Sequence, residues 1–74
     1  MFFTYKTLRK KSDKSWNIEG AAHETETAAK HRFHRLMDAY AYGANESFDY
    51  VACSVESDSG ASIVKEIDDR RDAE

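Results

Sequence analysis

Two histidines and an aspartate, His31, His34 and Asp38, stand at i, i+3 and i+7 in the stretch TETAAKHRFHRLMDAYAYG, Thr25 to Gly43. If that stretch is helical the three share one face, and His34 and Asp38, one turn apart, can bridge a metal ion. Imidazoles in water with nothing behind them bind metals weakly, however, and Lys30, Arg32 and Arg35 crowd the same region with positive charge. The face reads as solvated, and no metal is expected. Cys53 is the one thiol. With Val51 and Val55 two residues to either side, it reads as a small hydrophobe in a core strand. A nucleophile needs exposure and a base or cation beside it, and only Lys65 is expected opposite. Glu19, Glu24 and Glu26 have no partner arranged for acid–base work, and no phosphate-binding glycine loop, HExxH or GxSxG occurs. The reading is that of a non-enzyme without a cofactor.

The cations offer a different chemistry. Residues 1–35 carry eight Lys/Arg against four Asp/Glu, and residues 36–74 carry three against ten, within a net charge of −3. Lys6, Arg9, Lys10, Lys11 and Lys14 gather around a first hairpin, with Arg35 on the helix. A two-stranded ribbon carrying cations can track phosphates or enter a major groove. These six residues are the candidate nucleic-acid surface. The acidic second half opposes that reading on any surface it shares, so nucleic-acid binding is the alternative rather than the leading function.

Four strands and one helix must position these groups. Ala29, Phe33, Leu36, Met37 and Tyr40 fall on one stripe of a 3.6-residue helix. Thr25 is its N-cap, Glu26 suits the positive end of its dipole, and Gly43 is placed to close it. FFTYKTLRK (2–10) and SWNIEGAAH (15–23) read as strands joined by the turn Lys11-Ser12-Asp13-Lys14. Closing that turn pairs Arg9 with Trp16, Thr7 with Ile18, Tyr5 with Gly20 and Phe3 with Ala22, and sets Lys6 opposite Glu19. Ala44-Asn45-Glu46 connects the helix to a third strand, SFDYVACSVE (47–56). Asp58-Ser59-Gly60 suits a type I turn with a left-handed glycine bulge. That turn pairs Val55 with Ile63, Cys53 with Lys65 and Val51 with Ile67, leaving Lys65 an awkward member of an apolar face.

The expected fold is α+β, in the order β-β-α-β-β: a four-stranded antiparallel sheet, order 2-1-3-4, with one amphipathic helix packed on one face. Residues 1–67 form the single domain and 68–74 a charged, flexible C-terminal tail. The expected core combines Phe3, Tyr5, Trp16, Ile18, Val51, Cys53, Val55, Ile63 and Ile67 with the helix stripe. The opposite sheet face then displays Phe2, Leu8, Phe48, Tyr50 and Val64. An apolar patch of this kind usually meets a partner, and those five residues are the expected protein interface, with a second copy of the chain as the expected partner.

A chain of this composition, 41% hydrophobic and 34% charged with one cysteine and no proline, suits a small globular domain. No stretch approaches the length of a membrane span. The start, MFFTYKTLRKK, has the wrong charge order for a signal peptide, so a reduced, cytoplasmic protein is expected. Several short motifs stand along the chain: Phe2-Phe3-Thr4-Tyr5, Glu24-Thr25, Phe33-His34, Asp38-Ala39-Tyr40-Ala41-Tyr42, Val51-Ala52-Cys53-Ser54-Val55 and Asp58-Ser59-Gly60. In these, from Phe2 to Ile67, the chain resembles a group of small phage and prophage proteins of Gram-positive bacteria with no established activity. The resemblance implies a phage-associated setting and no catalytic residue; the Lys10-Lys11 to Lys14 turn lies outside it. The expected function is a non-enzymatic, homodimeric protein-interaction module.

Overall fold

The computed structural model describes residues 1–41 and 46–71. Its elements are β1 (Phe2–Lys10), β2 (Trp16–His23), α1 (Glu26–Tyr40), β3 (Phe48–Ser57) and β4 (Ser62–Asp69). The strands form one antiparallel sheet in the order β2-β1-β3-β4, with α1 across one face, the architecture expected from the sequence. The first hairpin has the expected register, Arg9 opposite Trp16 through Phe3 opposite Ala22. Its turn is closed by Lys10 N–H donating to Ser15 O (2.9 Å), with Lys14 in the left-handed region at φ 59°.

Helix α1 begins as its sequence dictates. The Thr25 hydroxyl accepts from Ala28 N–H at 3.1 Å, satisfying one of the unpaired donors of the first turn. Glu26 pairs with Lys30 one turn on, at 2.8 Å. The helix ends at Tyr40, where Ala41 N–H donates to Met37 O at 2.8 Å. Gly43, the expected closing residue, and Ala44-Asn45 of the expected connector lie outside the described residues.

The two faces of the sheet are assigned differently from the expectation. Leu8 lies opposite Val51, Lys6 opposite Cys53 and Thr4 opposite Val55. The even residues of β1 therefore share the helix side with the odd residues of β3. Leu8, Ala29, Phe33, Leu36, Met37, Ala41, Val51, Cys53 and Val55 form the buried core, with Phe2, Tyr40, Phe48, Ile63 and Val64 packed against it. Of the five residues expected on the open face, Leu8 is thus buried, and Phe2, Phe48 and Val64 lie on the core side; Tyr50 alone lies opposite. The reason is steric. Thr4 sits beneath the helix and its hydroxyl donates to Ala29 O at 2.8 Å, with Thr4 and Ala29 both buried. A tyrosine or phenylalanine in that place would hold the helix away from the sheet.

On β4 the correction has a separate cause. The turn behaves as expected: Gly60 takes φ 83°, Ser57 N–H donates to Ala61 O, and Glu56 pairs with Ser62. A β-bulge at Ile63 then advances the register by one, so Val55 meets Val64, Cys53 meets Glu66 and Val51 meets Asp68. Moving one residue exchanges the faces of a strand. Lys65 and Ile67 consequently go to the open side, which relieves Lys65 of its place in the core. The strand also runs on to Asp69, and Arg70 N–H donates to Asp49 O at 2.8 Å. Residues 68–71 belong to the fold rather than to a tail, and 72–74 lie outside the described residues.

Candidate interaction surface

The side of the sheet away from the helix is built by alternation. From β1 it takes Phe3, Tyr5, Thr7 and Arg9; from β2, Trp16, Ile18, Gly20 and Ala22; from β3, Tyr50, Ala52, Ser54 and Glu56; from β4, Lys65, Ile67 and Asp69. Ile18 is 70% exposed, Ile67 52%, Trp16 50% and Tyr5 38%. Among the described residues no helix or strand is layered over this side of the sheet.

This surface is flattened by one glycine. A Cβ at Gly20 would stand 2.8 Å from two carbons of the Tyr5 ring, so the ring lies directly on the glycine backbone. Gly20 has an ordinary extended conformation; its missing side chain serves the ring, not the backbone. Phe3 stacks on Tyr5, centroids 6.2 Å apart and planes at 22°. At the other end a row crosses all four strands: Trp16, Arg9, Tyr50 and Asp69 lie side by side. Trp16 meets Tyr50 edge-on at 5.4 Å, and the Arg71 guanidinium lies 4.7 Å from the Tyr50 ring centre. Arg71 is held there by Asp69, which accepts from its Nε at 2.8 Å and from its Nη2 at 2.7 Å. Those hydrogen bonds keep the Asp69 carboxyl down at about 2. Arg9 sits 5.9 Å from the Trp16 ring and pairs with Asp49 at 3.3 Å. The arginines at this end are thus engaged with aromatic faces and carboxylates of the chain itself.

The six candidate nucleic-acid residues are not brought together. Lys6 lies on the helix side, its side chain 12% exposed, its ammonium 2.9 Å from Glu19 and over the Tyr40 ring. Arg9 belongs to the open face, and Arg35 is exposed on the outer side of α1. Lys10 and Lys11 line a groove of about 420 Å³ with Ser12, Glu46 and Ser47, and Lys14 is exposed in the neighbouring turn. Three elements and two faces divide what the sequence lists as one cluster.

The remaining candidates sit apart from the open surface. His31, His34 and Asp38 are exposed on α1, and among the described residues no group of three or more His, Cys, Asp and Glu is placed to hold a metal. Cys53 is buried, and burial pushes its thiol up to about 11, with the Lys6 ammonium opposing and Glu66 adding to the rise. Glu66, not Lys65, is the residue opposite it. A thiol so placed stays protonated at neutral pH.

No family model matches the chain, and no curated protein or solved structure matches it. Phe3, Tyr5, Trp16, Ile18 and Ile67 are the members of the open surface that sequence reasoning placed in the core. Two signals pointed to them: the lysine stranded in a supposed apolar face at position 65, and a glycine opposite a tyrosine in the first hairpin. Among the described residues no helix is long and apolar enough to cross a membrane.

Proposed function

We propose that the chain is a non-enzymatic protein-interaction module that self-associates through its open sheet face. The observation that supports this is the gathering of Phe3, Tyr5, Trp16, Ile18, Tyr50 and Ile67, interspersed with polar side chains, on one open sheet face of a chain with a core of its own on the other side. Four strands spaced ~4.8 Å apart, each about nine residues at ~3.3 Å, make a face of roughly 600 Å². Each partner in a stable complex buries ~600–1,000 Å². Two copies related by a two-fold bury the same residues on both sides, which makes the patch self-complementary in composition. Nucleic acid is the less favoured occupant. The Tyr50 ring is already covered by Arg71, and the net charge of −3 opposes a polyanion.

A lone buried thiol suits the reduced, cytoplasmic compartment that we assign to the protein. The phage-associated setting that we also propose rests on the sequence resemblance alone. Sedimentation equilibrium tests the functional reading. A mass that is a multiple of 8.5 kDa at tens of micromolar, falling when Ile67→Lys places a charge on the face, is expected. A single 8.5 kDa species at that concentration overturns it.

A further inference from the structure

The sheet has two edges, and they are unlike. The edge at β4 carries Lys65, Glu66, Asp68 and Asp69 within eight residues, the charged guard that discourages strand addition. The edge at β2, WNIEGAAH, carries Glu19 as its one formal charge, with no lysine, no proline and no bulge. Trp16 to Gly20 are exposed throughout, and Ile18 is the most exposed large apolar residue of the described chain.

The hydrogen-bond alternation of the hairpin decides which backbone groups this edge offers. Lys10 N–H donates to Ser15 O, and inward-pointing residues alternate from that pair along the ladder. Asn17, Glu19 and Ala21 therefore bond to β1. Trp16, Ile18, Gly20 and Ala22 turn their N–H and C=O groups outward. Lys11 N–H donating to Ser47 O, on the other side of β1, has the parity this alternation requires.

We propose that β2 pairs antiparallel with β2 of a second copy, about a two-fold axis through Gly20. In this register Gly20 meets Gly20, Ile18 meets Ala22 and Glu19 meets Ala21. About six backbone hydrogen bonds join the outward groups, and the two sheets become one of eight strands. The neighbouring registers of correct parity are worse. Centring on Glu19 sets like charges directly opposite each other, and centring on Ala21 places Ile18 beside Glu24. Across the seam the open faces run together, and Ile18 gains the partner's Ala22 as neighbour. The seam uses none of the contacts that bury the open face, so it stands or falls separately from the functional reading above. Both surfaces together make a four-chain assembly of two stacked sheets with the helices outside.

Ala22→Pro removes an outward N–H while leaving the β1–β2 ladder whole, and edge strands accept proline at such positions. Mass is measured for this variant beside the natural chain. A fall from four chains to two supports the seam, as does a fall from two to one when Ile67→Lys leaves the natural dimer intact; if Ile67→Lys also splits that dimer, the open face is its interface and the seam is overturned. A folded variant whose mass equals that of the natural chain overturns the seam, as does a natural chain that is monomeric. Should the variant not fold, amide exchange on the natural protein decides. Protection of Ile18, Gly20 and Ala22 by about tenfold or more supports the pairing, and exchange at the rates of open amides overturns it.

Discussion

Replacing Gly20 by alanine isolates the contact that flattens the open face. The new methyl would stand 2.8 Å from the Tyr5 Cδ1 and Cε1 atoms, closer than real contacts allow, so the ring must lift or leave its rotamer. An off-rotamer aromatic costs ~0.5–1.5 kcal/mol. Uncovering about 40 Å² of ring costs about 1 kcal/mol more at ~25 cal/mol per Å². Alanine in a strand with ordinary φ recovers ~0.5–1 kcal/mol of chain entropy relative to glycine. The net expectation is a loss of about 1 kcal/mol. In a Tyr5→Ser background nothing stands in the methyl's way, and the same Gly20→Ala change should stabilise by ~0.5–1 kcal/mol. Urea unfolding of the four proteins at one fixed concentration reads the cycle, with the sign of the alanine effect reversing between backgrounds. Equal effects in the two backgrounds, within the ~0.3–0.5 kcal/mol of independent sites, would mean that the Tyr5 ring does not rest on Gly20.

Two further predictions concern charges. The Lys6 ammonium is held between Glu19 and the Tyr40 ring, and Glu19 is far more exposed than Lys6. Glu19→Ala leaves a nearly buried cation without its carboxylate and should lower the melting temperature more than Lys6→Met does, since methionine removes the cation and refills its volume at less than about 1 kcal/mol; thermal unfolding orders the pair. The Asp69 carboxyl is depressed to about 2 by its hydrogen bonds to Arg71. A carboxyl lowered on folding contributes stability above its unfolded value near ~3.9 and loses it as pH falls through the folded value. Acid unfolding of Asp69→Asn should therefore show a shallower pH dependence between about 4 and about 2 than the natural chain does.

The topology was legible because it depends on features written locally: Thr25 and the Phe33–Leu36–Met37 stripe for the helix, the Lys11–Lys14 turn and Asp58–Gly60 for the hairpins. Register within the first hairpin followed from its turn. The faces did not follow, since β1 is apolar on both sides, Phe2 and Leu8 against Phe3 and Tyr5. Only its pairing with β3, a contact more than forty residues away along the chain, decides which set meets the helix. The bulge at Ile63 has no comparable local signature, and it carried Ile67 out of the core and Val64 into it. The apolar open surface was thus expected in kind and built from other residues. The basic cluster dispersed for the same reason, with Lys6 turned inward and Arg9 outward.

Trp16 is the one tryptophan of the chain and stands half exposed on the open face against Tyr50. Its fluorescence, followed from nanomolar to tens of micromolar protein, tests burial of that face most directly. Concentration should move the emission to shorter wavelength and reduce quenching by acrylamide, and Ile67→Lys should shift that change to higher concentration. Emission and quenching that stay constant over the whole range would mean that the open face remains in water and is not an interface.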